Sequence, residues 1–159
     1  MQKKSLVVID IQNDITKNYK EIIDNVNRSI DWAVENEIHV VYIKHYNLSD
    51  GTRTFKPNTR GSELVSDMKL VSKNIFEKSK GNALTSEDFA DFIKKNEISE
   101  FYITGADATA CVKSTVFNMV PSVLTWMRRS PTGSASMKLS SGKTASAFGP
   151  SYESGRFLY

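Results

Sequence analysis

Three side chains in this sequence, Asp10, Lys78 and Cys111, could carry nucleophilic chemistry if the fold brings them together. Asp10 closes the apolar run Leu6-Val7-Val8-Ile9, Lys78 closes Asn74-Ile75-Phe76-Glu77, and Cys111 follows Phe101-Tyr102-Ile103-Thr104-Gly105 across a small-residue turn. A thiol at a helix start lies near the positive end of the helix dipole and near free backbone N–H groups, which favour the thiolate. A carboxylate beside it can accept the thiol proton, and an ammonium offsets the negative charge left behind. That combination suits attack on a carbonyl carbon with a covalent thioester intermediate. Taken singly the residues say little: a strand-end Asp often caps a turn, Lys is usually solvated, and a lone Cys is usually a small buried hydrophobe.

The elements that must position these groups can be read from periodicity. Ser5 to Asp10 is the pattern of a strand buried on both faces. Between Tyr19 and Val34, Ile22, Ile23, Val26, Ile30 and Ala33 fall at helical spacing among polar residues. Ile38 to Ile43, β-branched and aromatic, reads as a second strand, so the unit is βαβ with parallel strands and a right-handed crossover. Asn47 to Gly61 reads as a long surface loop. Asn74 to Lys78 reads as a short third strand, and Thr85 or Ser86 can cap a helix that buries Phe89, Phe92 and Ile93. Phe101 to Gly105 is the fourth strand, leading into a helix that opens near Cys111 and runs through Thr115 and Phe117. The expected fold is a three-layer α/β domain: an open, mostly parallel, Rossmann-like sheet with helices on both faces. Ligands then bind at the carboxyl ends of the strands, where residues 10, 78 and 111 converge.

The same residues, in order, resemble the isochorismatase-like cysteine hydrolases, which include nicotinamidases, carbamoylsarcosine amidases and ureidoacrylate hydrolases. Leu6 to Asp14 is similar to the family's opening strand followed by Asp-x-Gln-Asn-Asp, and Thr59 to Val65 resembles its Thr-x-Gly-small-Glu-apolar segment. Phe76 to Leu84 resembles its lysine strand, with Lys78 rather than Lys80 in the matching place, and Ile103 to Thr115 resembles its Gly-turn-Cys-Val-x-x-Thr motif. The resemblance spans residues 5 to about 119. It implies a hydrolase cleaving a C–N bond of a small amide or ureide, with Asp10, Lys78 and Cys111 as the catalytic triad. It also implies a cis peptide near Ala106-Asp107 that aims the backbone N–H groups of Asp107 and Cys111 into an oxyanion hole. Gln12 is a possible substrate-binding or orienting group, and the 47–61 loop is the candidate for substrate selection. Members that bind a metal use an Asp-x-His motif and further histidines after the second strand. Here only His39 and His45 exist, so no metal and no cofactor are expected.

Composition bounds the remaining classes. The 159 residues fit one domain, 1–159, with 40% hydrophobic and 25% charged residues and no apolar run long enough to span a bilayer. A cytoplasmic protein with no membrane or nucleic-acid partner is expected. The net charge of +3 is small, and residues 1–119 carry 16 basic against 17 acidic side chains, so no clustered phosphate-binding face is indicated. One cysteine excludes an intramolecular disulfide.

Residues 120–159 depart from this pattern. Thirteen of them are Ser or Gly and the only acid is Glu153, the composition of an atypical C-terminal segment in which only Val120 to Met127 reads as a strand. It reads as a truncated, replaced or out-of-frame end within the domain. Gly142-Lys143-Thr144 hints at a phosphate loop, but the first glycine such a loop needs is replaced by Met137. The altered end predicts exposed apolar surface at Phe117, Val120, Leu124 and Trp126, and hence a homo-oligomer or poor solubility. It also sustains a rival reading, an impaired domain that acts as a non-enzymatic interaction module. The two readings predict opposite shifts of the Cys111 thiol: lowered in the enzyme, raised in an inert buried cysteine.

Overall fold

A computed structural model of the chain describes residues 3–16, 21–119, 135–140 and 145–146, the last two stretches by backbone alone. The elements are β1 (Lys3–Ile9), α1 (Asn13–Thr16), α2 (Glu21–Glu35), β2 (His39–His45), β3 (Ile75–Lys78), α3 (Glu87–Lys95), β4 (Ile98–Gly105), α4 (Cys111–Met119), β5 (Ala135–Ser140) and β6 (Ala145–Ser146). Short 3-10 turns lie at Arg60–Ser62 and Ala83–Thr85.

One sheet has the order β3-β2-β1-β4-β5-β6. Its first four strands are parallel, with Val7 opposite Val41 on one side and Ile103 on the other. Alternate residues divide between two cores, as strand geometry requires. Leu6, Val8, Val40 and Tyr42 face α2, where Ile22, Val26 and Ile30 are buried. Val7, Ile9, Val41, Ile43 and Ile103 face the opposite layer, which holds Phe89 of α3 and Val112 and Val116 of α4. Each such side chain contributes about 2 kcal/mol on burial, so continuous apolar strands between two amphipathic layers account for the three-layer arrangement.

The tail differs from expectation. Residues 135–140, read from sequence as irregular, form β5, antiparallel to β4 from Gly105–Ala135 to Glu100–Ser140, and β6 pairs with β5 in turn. The open edge of β4 supplies the ladder partners, so pairing rather than hydrophobic pattern makes this strand. Val120 to Met127, Gly142-Lys143-Thr144, and Val120, Leu124 and Trp126 as exposed apolar groups all lie outside the described residues. Phe117 is half exposed, as expected.

Candidate active site

Asp10 is placed by the end of β1. Its backbone turns into the left-handed region, at φ 55°, and its N–H donates to the Ile43 carbonyl at 3.0 Å, so the chain leaves the sheet there with the carboxylate directed inward. Gly105 makes this possible. At φ +141° beside β1, a Cβ on it would lie 2.2 Å from the Ile9 carbonyl oxygen. Only glycine lets the ends of β1 and β4 approach so closely.

Lys78 ends β3, on the far side of β2 from β1. Its ammonium reaches Asp10 Oδ2 at 2.8 Å, and both side chains are essentially unexposed, at 0% and 1%. The other carboxylate oxygen, Oδ1, is buried and has no hydrogen-bond partner among the described residues. Cys111 opens α4, and its Sγ lies with an Asp10 carboxylate oxygen and a His45 ring nitrogen in a group whose members are all within 4.8 Å of one another. The three residues singled out from sequence therefore meet at one rim of the sheet.

Electrostatics at this rim departs from expectation. Burial raises the Asp10 carboxyl above its ordinary value, although the Lys78 charge opposes the shift. Burial, joined by the Asp10 charge, pushes the Cys111 thiol up to about 12, with Lys78 again opposing. The expected lowering of the thiol is thus corrected: at this site desolvation and the carboxylate outweigh the lysine, so the shift has the sign set out for the inert cysteine, with the Asp10 charge opposing the thiolate as part of a coupled pair.

Ahead of Cys111 the Ala106-Asp107 peptide is cis, as the family resemblance implies. The Asp107 side chain accepts from the Thr109 N–H at 2.7 Å and hydroxyl at 2.8 Å, and the Asp107 carbonyl accepts from Ala110 and Val112 at 3.2 Å each. The backbone N–H groups of Asp107 and Cys111 have no protein acceptor among the described residues. Behind Cys111, the Thr115 hydroxyl donates to the Cys111 carbonyl at 2.8 Å and accepts from the Ala83 N–H at 3.0 Å, tying α4 to the chain that follows Lys78.

Gln12 lies near the site but as a brace. It is fully buried, its amide nitrogen donates to the carbonyls of His45 at 3.0 Å and Ser62 at 2.7 Å, and its oxygen accepts the His45 N–H at 2.7 Å. Both of its donor hydrogens are engaged by main chain, which leaves none for a ligand.

The residue that sequence reasoning left outside the site is His45. It is the last residue of β2, half buried, with Nδ1 3.1 Å from the Lys78 ammonium. The signal was present in its position, because it ends a strand just as Lys78 does. Asp10, His45 and Cys111 also form a set of metal-ligand types. The Lys78 ammonium already engages Asp10 and His45, however, so the set does not fit a metal ion while that ammonium is in place.

Known proteins share this architecture. The chain is 24% identical over 141 residues to an Arabidopsis thaliana protein named a "probable inactive nicotinamidase", covering 73% of this chain and 72% of the relative. The N-carbamoylsarcosine amidase of Thermoplasma acidophilum superposes with a TM-score of 0.66 at 21% identity, covering 76% of this chain and 77% of that one. A pyrazinamidase of Pyrococcus horikoshii, solved in complex with zinc, gives 0.67 at 20% identity, covering 77% and 83% respectively. Structural likeness at that level of identity shows the fold. Because the isochorismatase domain matches residues 4–121, most of the chain, the protein belongs to the isochorismatase family of hydrolases.

Proposed function

We propose that this chain is a cysteine hydrolase that cleaves a C–N bond of a small amide or ureide through a thioester on Cys111. The observation that carries the reading is the buried Asp10 carboxylate, one oxygen of which lies within 4.8 Å of the thiol, with Oδ2 held by Lys78 and Oδ1 without a hydrogen-bond partner among the described residues. An acceptor left bare in a buried place calls for a proton donor, and the thiol is a neighbouring group with a proton to give. The amidase names carried by structural neighbours agree with a C–N bond as the target.

In this mechanism Asp10 takes the Cys111 proton as sulfur bonds to the substrate carbonyl carbon. The carbonyl π electrons move to oxygen, where the N–H groups of Asp107 and Cys111 receive the negative charge. Collapse breaks the C–N bond, and protonated Asp10 gives its proton to the departing nitrogen. Water then attacks the thioester, Asp10 takes the water's proton, and the acid leaves as that proton returns to sulfur. Lys78 keeps its charge throughout and balances the shared negative charge of Asp10 and Cys111. The 47–61 loop selects the substrate. The reading includes a cytoplasmic setting, which a lone free thiol suits, and assembly as a homo-oligomer. Among the described residues no helix is long and apolar enough to cross a membrane.

The test is a panel of small amides and ureides with mass spectrometry of the quenched enzyme. The expected result is amine release with an acyl adduct on Cys111, both lost in Cys111→Ser. A folded chain that hydrolyses none of the panel, and whose Cys111 alkylates only on denaturation, would leave the interaction-module reading in its place.

A further inference from the structure

We infer that His45 is a positioning residue of this centre, a neutral imidazole whose Nδ1 accepts a hydrogen bond from the Lys78 ammonium and holds it beside Asp10 and Cys111. An ammonium has three protons and no acceptor capacity, so the nitrogen facing it at 3.1 Å must offer a lone pair. That requires the tautomer with its proton on Nε2. A protonated ring would set two cations against each other in a half-buried place. Burial and the Lys78 charge both hold the imidazole below its ordinary pKa, in agreement with a neutral ring.

The surroundings fix this ring as they would a built part. The His45 peptide is clamped on both sides by the Gln12 amide, which is itself anchored on the Ser62 carbonyl. Phe55 packs edge-on against the imidazole, centroids 5.4 Å apart. Phe55 in turn sits at φ 55°, a conformation rare for a bulky residue, and is pinned from two directions: its N–H donates to Asp14 at 2.7 Å and its carbonyl accepts from Asn47 at 3.0 Å. The loop after β2 thus ends in an aromatic stop against His45. The charged and titratable groups facing the ring are Lys78 from β3, Asp10 from β1 and Cys111 from α4. Of these Lys78 is the one within hydrogen-bond distance.

Without this acceptor the ammonium would keep its bond to Asp10 but lose the second constraint on its direction. The charge that opposes the raised thiol would then be less well placed. A misplacement of this kind near a reacting group costs about 100-fold in rate.

The experiment has one arm that needs no substrate and one that rests on the hydrolase reading. In the first, nitrogen-15 NMR of the histidines is recorded for the wild type and for Lys78→Met. The wild type is expected to show His45 as the Nε2–H tautomer with Nδ1 accepting. In Lys78→Met, His45 should lose that bias and titrate at higher pH, because a neighbouring cation has been removed. His39, on the exposed start of β2, is the internal control and should not move. In the second arm, His45→Asn places a neutral acceptor near the Nδ1 position and His45→Phe fills the space without one. His45→Phe is expected to lower kcat by about 100-fold with KM within about twofold, and His45→Asn to recover most of the loss. An Nδ1–H tautomer in the wild type, or a His45 titration unchanged by Lys78→Met, overturns the inference whether or not the chain hydrolyses anything. Absence of hydrolysis in the wild type, with the expected tautomer present, counts against the hydrolase reading alone.

Discussion

The Cys111 thiol feels two charges of opposite sign, and burial adds to the effect of the carboxylate. Asp10 and Cys111 are both raised and interact, so when the pair shares one proton its titration belongs to neither residue alone. Moving that proton from sulfur to oxygen leaves the net charge of the pair unchanged, which suits a base that must act without releasing a proton to water. The sign of each contribution can be tested. Asp10→Asn removes a negative charge that helps to raise the thiol, so the pH midpoint of Cys111 alkylation by iodoacetamide should move down relative to the wild type. Lys78→Met should move it up. Hydrolysis should nevertheless fall in Asp10→Asn by about 10²–10⁴-fold, since the proton acceptor is gone. The variant would then be a more reactive thiol and a poorer enzyme. Removing one partner of a buried pair costs about 3–5 kcal/mol, so both rates are to be taken where circular dichroism shows the chain folded. An alkylation midpoint that rises in Asp10→Asn would reverse the assignment of charges at the site.

At the scale of elements, the site depends on how β1, β3, β4 and α4 are held in mutual register, and Thr115 is a joint between two of them. Its hydroxyl links the Cys111 carbonyl at the start of α4 to the N–H of Ala83, five residues beyond Lys78. Thr115 and Ala83 are both fully buried. Thr115→Val keeps the volume and leaves the Ala83 N–H without a partner, which should cost about 1–3 kcal/mol in urea unfolding. Hydrolysis should fall as well, because the thiol and the lysine would no longer be tied together; unchanged stability would show that water replaces the hydroxyl. The parallel strands and the longer helices were legible because they are long periodic runs: Leu6 to Ile9 and Ile22 to Ala33 leave little choice. The start of β4 was not, because Glu100 reads as a surface residue yet is buried, with the Tyr102 hydroxyl on its carboxylate at 2.6 Å. Nor was α1, whose four residues are about one turn and too few to show a period. Residues 135–140 lack a strand pattern because their pairing is set by the free edge of β4, a tertiary cause. The site was legible as strand-end residues converging on one rim. His45 ends a strand too, but its place in the site comes from a tertiary contact, the 3.1 Å approach of its Nδ1 to the Lys78 ammonium, which no sequence pattern carries.

For the whole molecule, the remaining question is what the open edge of the sheet does. In the order β3-β2-β1-β4-β5-β6, β3 is an edge, bonded among the described residues to β2 alone. Unpaired edges invite association unless they are charged, short or covered. This one is only four residues long, but it carries apolar surface: Ile75 is 39% exposed, and Leu70 and Val71, on the segment leading into it, are 54% and 47% exposed. The segment before β3 is tied to β2, since the Val71 N–H donates to the Tyr42 hydroxyl at 3.0 Å and the Ser72 hydroxyl donates to the Val40 carbonyl at 2.6 Å. Exposed apolar groups along an edge favour association, and the expectation is that a second copy covers them. Sedimentation velocity should therefore find the chain as an oligomer at micromolar concentration. A charge placed on the edge, Ile75→Lys, should shift it toward monomer with little change in thermal stability, because Ile75 is outside the buried core. Phe117→Lys, on α4, serves as the comparison, half exposed and on a helix instead of the edge strand. Dissociation by Ile75→Lys alone places the contact at β3, dissociation by Phe117→Lys alone moves it to α4, and a monomeric wild type removes the case for assembly.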